Sequence, residues 1–342
     1  KNLWTDNEEG EKITYYRAND EKEEASYIVK EIKKLTEKNI SKKEIAVLYR
    51  TNAQSRNLEE AFLRENIPYK VIGSFYFYNR KEIKDLIAYL KLIYNPMDDV
   101  SLQRIINVPK RGIGLKTMEN LNALATLQNQ SLYEVIQKGK EGEFKKMIEE
   151  IRAQVDKISL TELVEFILEK SGMRKELESE KSIEAEVRLE NLEEFKSITR
   201  NFEEKNGIIS LEEFLGEISL VSDVEEHREN EDVITLMTIH SAKGLEFSYV
   251  FLAGLEEGIF PHTNSLMDAL EMEEERRLCY VAFTRARKKL WILNAQKRTL
   301  YGMDNYNLPS RFIEEVDKTY LDIDQEKRVE KQQEQKEELL KD

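Results

Sequence analysis

Thr238, His240, Lys243, Gly244 and Glu246 fall within nine positions, between the apolar runs at residues 233–239 and 249–254. Threonine and histidine can bind a phosphate or a sugar, glycine lets a backbone approach a ligand closely, and a glutamate can hold a ribose hydroxyl. Polar residues at the carboxyl end of a buried strand are where open α/β sheets place their ligands. The purely structural alternative is a polar strand end running into a helix cap. Five different polar or permissive residue types in so short a span favour the ligand site.

Three further groups could do related chemistry. Arg285 lies in Leu278-Cys-Tyr-Val-Ala-Phe-Thr-Arg-Ala286, where positions 278, 281 and 285 share one face of an expected helix. A guanidinium held by a packed helix can stabilise charge on transferring phosphoryl oxygens, and the plain alternative is an arginine snorkelling from a helix end. Arg50, Asn52 and Arg56 follow an expected buried strand, a position suited to phosphate or base contact and equally to helix capping. Lys110-Arg-Gly-Ile-Gly-Leu-Lys-Thr117 lacks the gap, the Gly-Lys pair and the preceding strand of a phosphate loop. It fits better as a turn between helices. There Gly112, Ile113 and Gly114 would let backbone amides approach a nucleic-acid phosphate beside Lys110 and Arg111, or the segment is simply a tight turn. Tyr301 tips a segment of hairpin composition and is either a stacking platform for a base or an exposed aromatic.

The elements that must position these residues follow from periodicity. Strands are expected at residues 13–18, 44–50 and 68–73, with helices over 21–37 and 57–66 between them, an alternation that specifies a parallel sheet covered by helices. From residue 81 the pattern turns helical, over 81–94, 102–107, 115–128, 132–138 and 143–157. Capping boxes begin at Ser159 and Ser210, and a long helix runs over 183–203. The sheet resumes at 233–239 and 249–253, followed by a helix over 268–288 that starts acidic and ends basic, and a strand over 289–295. Residues 298–306 read as a hairpin and 308–313 as a short last helix, while residues 325–342 are a charged, glutamine-rich tail expected to be disordered. The turn-rich segment 95–99 and the acidic segment 222–232 bound the helical insertion and suit hinges.

Composition narrows the function. The 342 residues suffice for two domains, and no apolar segment approaches a membrane span; a soluble, cytoplasmic protein is expected. One cysteine, Cys279, is expected in the core, and three histidines without ligand spacing give no metal site. The net charge of −14 argues against a surface that wraps nucleic acid throughout, yet residues 104–116 carry Arg104, Lys110, Arg111 and Lys116 without an acid. The acids, including the run 271–275, are read as solvated helix faces. No Gly-x-x-x-x-Gly-Lys-Ser/Thr occurs, and no apolar strand ends in paired magnesium-binding acids, so this chain is not expected to cradle a triphosphate by itself.

Taken together, Tyr49-Arg-Thr-Asn-Ala-Gln-Ser-Arg56, Arg111-Gly-Ile-Gly114, Met237-Thr-Ile-His-Ser-Ala-Lys-Gly-Leu-Glu-Phe247, Glu274-Glu-Arg-Arg-Leu278, Tyr280-Val-Ala-Phe-Thr-Arg-Ala286 and Pro309-Ser-Arg-Phe312 resemble the C-terminal half of superfamily 1 DNA helicases of the UvrD/PcrA/Rep type. The PcrA subfamily of Gram-positive bacteria gives the nearest pattern. The resemblance covers nearly the whole chain except the tail, with Ala282-Phe283 and Cys279 as mild departures. It implies an α/β fold, with a RecA-like parallel-sheet motor domain (2A) at residues 1–95 and 229–320, an all-helical accessory domain (2B) at 96–228, and a disordered tail at 321–342. Arg285 would reach the γ-phosphate of ATP, with Gly244 and Glu246 near ribose and phosphates. Thr238, His240 and Arg50 would contact single-stranded DNA, Arg111 to Gly114 would touch duplex backbone, and Tyr301 would tip a strand-separating hairpin.

The same resemblance implies a 3′-to-5′ helicase and translocase in repair or replication, using ATP and Mg2+. Its phosphate loop would lie in N-terminal domains (1A/1B) preceding this chain, which alone is expected to lack ATPase activity. Implied partners are those domains, a single-strand/duplex junction and repair or transcription proteins, with no membrane. An alternative is a non-catalytic DNA-binding or protein-docking module.

Overall fold

A computed structural model describes residues 10–73, 75–206, 210–225 and 232–323. The expected tail at 325–342 and part of the expected hinge at 222–232 lie outside the described residues. Contacts divide the chain into a sheet unit, Lys1–Phe75 with Arg228–Thr299 and Asp304–Asp342, and a helical unit, Tyr76–His227 with Leu300–Met303.

The sheet unit begins β1 (Ile13–Ala18), α1 (Glu21–Glu37), β2 (Ile45–Tyr49), α2 (Ser55–Arg64) and β3 (Tyr69–Ile72). Asp20 starts α1 by accepting from the Glu23 amide, one of the four that a helix start leaves without partners. Every residue of β2 is buried, because Ile-Ala-Val-Leu-Tyr is apolar on both faces and the strand has neighbours on both sides.

The helical unit follows, with α3 (Lys81–Tyr94), α4 (Asp99–Ile105), α5 (Leu115–Gln128), α6 (Leu132–Val135), α7 (Lys140–Arg152), α8 (Leu160–Ser171), α9 (Met173–Glu180), α10 (Ile183–Asn206) and α11 (Leu211–Glu225). Phe77, Leu86, Leu90, Phe144, Val164, Phe195 and Phe214 belong to one continuous core. The unit therefore takes in α3 from Tyr76 onward, where the sequence pattern put the first sheet segment through residue 95. Apolar residues on α3 pack among the helices, which the turn at 95–99 does not reveal. Helix α4 starts earlier than expected because Asp98 caps it, its carboxylate accepting from the Ser101 amide at 3.0 Å. The sequence reading missed α9, which begins right after Gly172 in the left-handed region at φ +83°.

The sheet resumes with β4 (Ile234–Thr238) and β5 (Phe247–Leu252), then α12 (Ala269–Phe283) and β6 (Ala286–Ala295). The hairpin strands β7 (Arg298–Leu300) and β8 (Met303–Asn305), the short α13 (Arg311–Glu314) and β9 (Leu321–Ile323) close the described chain. Seven strands pair in the order β3-β4-β2-β5-β6-β1-β9, all parallel. Leu48, Met237, Leu252, Ile292, Phe260 and Phe312 share the core of this unit, with Cys279 buried beside them.

Two further expectations need correcting. The tail implied from residue 321 does not begin there, because Leu321–Ile323 form β9 and pair with β1. Helix α12 stops at Phe283, not residue 288, and no basic residue occupies its last turn. Residues 286–288 instead open β6, because Phe247 and Ala286 pair across β5 and β6, and the Phe247 amide donates to the Arg285 carbonyl at 2.9 Å. Strand pairing overrides the helical periodicity there. Among the described residues no helix is long and apolar enough to cross a membrane.

Candidate nucleotide and nucleic-acid site at the strand ends

Parallel pairing of β2 with β4 sets Tyr49 opposite Thr238, so the residues leaving both strands emerge side by side. The Ile239 amide donates to the Tyr49 carbonyl at 2.9 Å, which brings His240 next to Arg50. Gln54 fixes the first loop from inside. Its side-chain oxygen accepts from the amides of Arg50 and Thr51, both at 2.9 Å. Gly254 must be glycine for this to fit: at φ +75° an added Cβ would lie 2.0 Å from the Gln54 amide nitrogen. Neither residue was singled out from sequence.

Arg50 is held by Glu275 of α12, whose carboxylate accepts Nε at 3.1 Å and Nη2 at 2.7 Å. Glu275 also accepts the His262 amide at 3.0 Å. The sequence reading counted Glu275 among solvated acids, and the structure corrects this: its side chain is 8% exposed. The signal was present, since Met272, Glu275, Cys279 and Ala282 fall at helical spacing and form the buried face of α12.

The imidazoles of His240 and His262 are both held below their usual pKa, first by desolvation and then by the Arg50 cation, with Glu275 opposing. Thr238 lies 3.0 Å from Ser241 through their hydroxyls and accepts the Ser241 amide, which folds the chain back after β4. Asn52 begins a short 3-10 turn and is half-buried. Arg56 departs from expectation as an outward contact. It is 2% exposed and pairs with Glu60 at 3.1 Å, because it lies on the packed face of α2.

The turn that follows β4 carries the second group. Lys243, Gly244 and Glu246 are exposed. Gly244 takes φ +84°, and a Cβ there would meet nothing within 4 Å, so glycine serves the backbone shape and leaves open space for a ligand. Arg285 lies just past α12 rather than on its helical face as expected. Its Nε donates to the Val281 carbonyl at 2.9 Å, Nη1 to the Leu245 carbonyl at 2.7 Å and Nη2 to the Thr284 hydroxyl at 3.0 Å. The structure thus brings Arg285 together with Gly244–Glu246, and Arg50 together with Thr238 and His240. The single turn between β4 and β5 joins the two groups. An anion could replace the Leu245 carbonyl on Arg285, and the open space at Gly244 fits close approach of a phosphate. Among the described residues no group of three or more His, Cys, Asp or Glu could hold a metal ion.

In the helical unit, Lys110 is exposed, but Arg111 is built into the loop. Its guanidinium donates to the Pro109 carbonyl at 3.1 Å, the Ser171 carbonyl at 2.8 Å and the Tyr89 hydroxyl at 2.8 Å, and lies over the Phe144 ring. The amides of Arg111 and Ile113 both donate to the Asn107 side chain. Ile113 is 3% exposed, while Gly112 and Gly114 face outward, Gly114 as the N-cap of α5. Arg104, counted in the basic stretch, pairs with Asp85 at 2.8 Å. Tyr301 and Gly302 take φ +56° and +72°, as a two-residue hairpin turn demands. This tip rests on α10: the Tyr301 amide donates to Glu194 at 3.0 Å and the Gly302 amide to the Ser197 hydroxyl at 2.9 Å.

The profile of the UvrD-like helicase C-terminal domain matches residues 1–297. The ATP-dependent DNA helicase PcrA of Bacillus subtilis is 48% identical over 334 residues, covering 92% of this chain and 45% of that protein. PcrA of Staphylococcus epidermidis is 47% identical over 337 residues, with 94% of this chain and 46% of that protein covered. PcrA of Staphylococcus aureus is 44% identical over 342 residues, with the same coverage on both sides. The chain spans less than half the length of these curated relatives. With a parallel sheet, two ligand-suited groups at its strand ends and a match across most of its length, the chain belongs to the UvrD-like helicase C-terminal domain family.

Proposed function

We propose that this chain is the C-terminal motor portion of an ATP-dependent 3′-to-5′ DNA helicase and translocase, acting in DNA repair or replication in the cytoplasm. In this reading the sheet unit is the RecA-like domain 2A and the helical unit the accessory domain 2B. The observation that carries the proposal is the turn between β4 and β5, which starts beside Arg50 and ends beside Arg285. Family membership and the similarity to PcrA helicases support it.

Arg285 reaches the γ-phosphate, and its present acceptor, the Leu245 carbonyl, is one that phosphoryl oxygens replace. Gly244 lets the backbone approach the nucleotide, and Glu246 accepts from a ribose hydroxyl. Magnesium, when bound, neutralises phosphate charge; no residue of this chain is assigned to it. Arg50, Thr238 and His240 hold single-stranded DNA, with Asn52 beside them. Arg56 and Arg111 act through packing, and the outward backbone at Gly112 and Gly114 with Lys110 meets the duplex. Tyr301 tips the separating hairpin. The missing half of the ATP site is assigned to 1A/1B domains, and repair or transcription proteins are further partners.

The test is Arg285→Ala in the longer protein that carries this chain. ATP turnover is expected to fall by about a thousandfold while affinity for single-stranded DNA stays within about threefold. Turnover within tenfold of the unmodified protein overturns the assignment.

A further inference from the structure

Helix α12 carries two functional points, one at its middle and one at its carboxyl end. At its carboxyl end Thr284 caps the helix and Arg285 folds back onto the Val281 carbonyl. Ten residues earlier, on the buried face, Glu275 grips Arg50 with both carboxylate oxygens, at 3.1 and 3.2 Å to Nε and 2.7 Å to Nη2. A helix rises about 1.5 Å per residue, so a single rigid rod of roughly 12 Å joins the clamp to the helix end beside Arg285. Met272, Cys279 and Ala282 pack that rod against the sheet core.

We propose that Glu275 is a positioning residue that orients Arg50 for DNA and links it mechanically, through α12, to Arg285. This rests on the roles assigned above to Arg50 and Arg285. The carboxylate takes the Nε–Nη2 edge of the guanidinium, the two-pronged geometry a lysine cannot offer, and thereby fixes which edge Arg50 presents outward. It also compensates the Arg50 charge at a site where His240 and His262 lie close, so that the cation does not hold phosphate indiscriminately. The second bond, from the His262 amide, fixes the carboxylate from the segment before α12. When the helix end moves with Arg285, the clamp and the guanidinium it holds move too.

The clamp makes an unusual prediction, because loss of the carboxylate frees a cation while destroying its orientation. In the longer protein, Glu275→Gln is expected to lower DNA-stimulated ATP turnover about tenfold. Affinity for single-stranded DNA should stay equal or tighten by up to about threefold. A merely structural role would weaken both together. Arg50→Ala combined with Glu275→Gln should turn over no more slowly than Arg50→Ala alone, since Glu275 acts through Arg50. Stimulated turnover of Glu275→Gln within twofold of the unmodified protein overturns the proposal, and so does an additive double variant. Should Glu275→Gln fail to fold, Arg50→Lys carries the test. It keeps the charge and the carboxylate but not the fork, and must show the same loss of turnover with affinity retained; unchanged turnover overturns the proposal. An unmodified protein without DNA-stimulated turnover instead overturns the function proposed above.

Discussion

In the sheet unit, Arg50 offers one edge of its guanidinium to a buried carboxylate at a strand end, whereas in the helical unit Arg111 commits its donors to the Pro109 carbonyl of its own loop and to the Ser171 carbonyl and Tyr89 hydroxyl of the helices beside it. Both arginines stand in segments whose composition suggests phosphate contact. The difference lies in what surrounds them. A parallel sheet delivers its strand ends to one edge already ordered by ladder hydrogen bonds, so side chains there are available for ligands. A loop between helices has no such frame. It must satisfy its own backbone, and Arg111 does that work together with Asn107. On the function proposed above, recognition in such a loop falls to the exposed backbone and to Lys110.

The largest effect that sharpens this contrast is on stability. Arg111→Ala strands the Ser171 and Pro109 carbonyls and leaves the Tyr89 hydroxyl, whose pKa burial pushes up to about 12, with fewer partners. We expect a loss of about 3 kcal/mol, seen as a lowered thermal midpoint of this chain. Arg50→Ala leaves the buried Glu275 carboxylate with the His262 amide as a remaining donor, and should cost less, about 2 kcal/mol. Equal costs would erase the distinction.

The next effect is electrostatic and belongs to the strand ends alone. Removing Arg50 takes away a cation that holds His240 and His262 down, so both should titrate higher in Arg50→Ala; Glu275→Gln removes an opposing acid, so both should titrate lower. The carboxylates of Glu274 and Glu271 remain near His240 and His262 respectively, each with a smaller effect than Glu275. Imidazole NMR titration reads the two signs, and shifts in one direction for both variants would contradict the geometry. Because each folded pKa lies below the ordinary value of about 6.5, the unfolded chain binds more protons near that pH. Native stability from these groups is therefore complete above about pH 6.5 and declines as pH falls through that value toward the folded pKa.

The same contrast explains what could be read in the sequence. Strand and helix alternation in the sheet unit, the bounds of α1, α3 and α5, and the grouping of polar residues after β4 follow from local periodicity and turn residues, and the structure keeps them. What escaped depended on distant partners. Nothing local tells that Ala286 pairs with β5 and so opens β6, or that α3 belongs with the helical core. Glu275 was obscured by its acidic neighbours, although its place on the apolar stripe of α12 marked it. Arg56 and Arg111 show the converse: their residue type suggested a ligand, and only packing showed that each is part of the fold.

The smallest expected effect decides whether the helical loop recognises anything once Arg111 is set aside. Lys110 is exposed, and the only bond described for its residue is a long one, from its amide to Glu176 at 3.4 Å, so Lys110→Ala should change stability by less than about 0.5 kcal/mol. If its ammonium meets a phosphate, binding of the longer protein to a single-strand/duplex junction should weaken regardless of sequence. The slope of log affinity against log salt should then fall by about one. The conformation of Gly112 supplies a control from the same loop. At φ +72°, with the Lys140 ammonium 2.5 Å from where a Cβ would sit, Gly112→Ala disturbs the exposed backbone itself. It should weaken junction binding while leaving the salt slope unchanged, because no charge is removed. A salt slope unaltered by Lys110→Ala would leave the backbone as the loop's sole contact and confine charge-based DNA recognition to the strand ends.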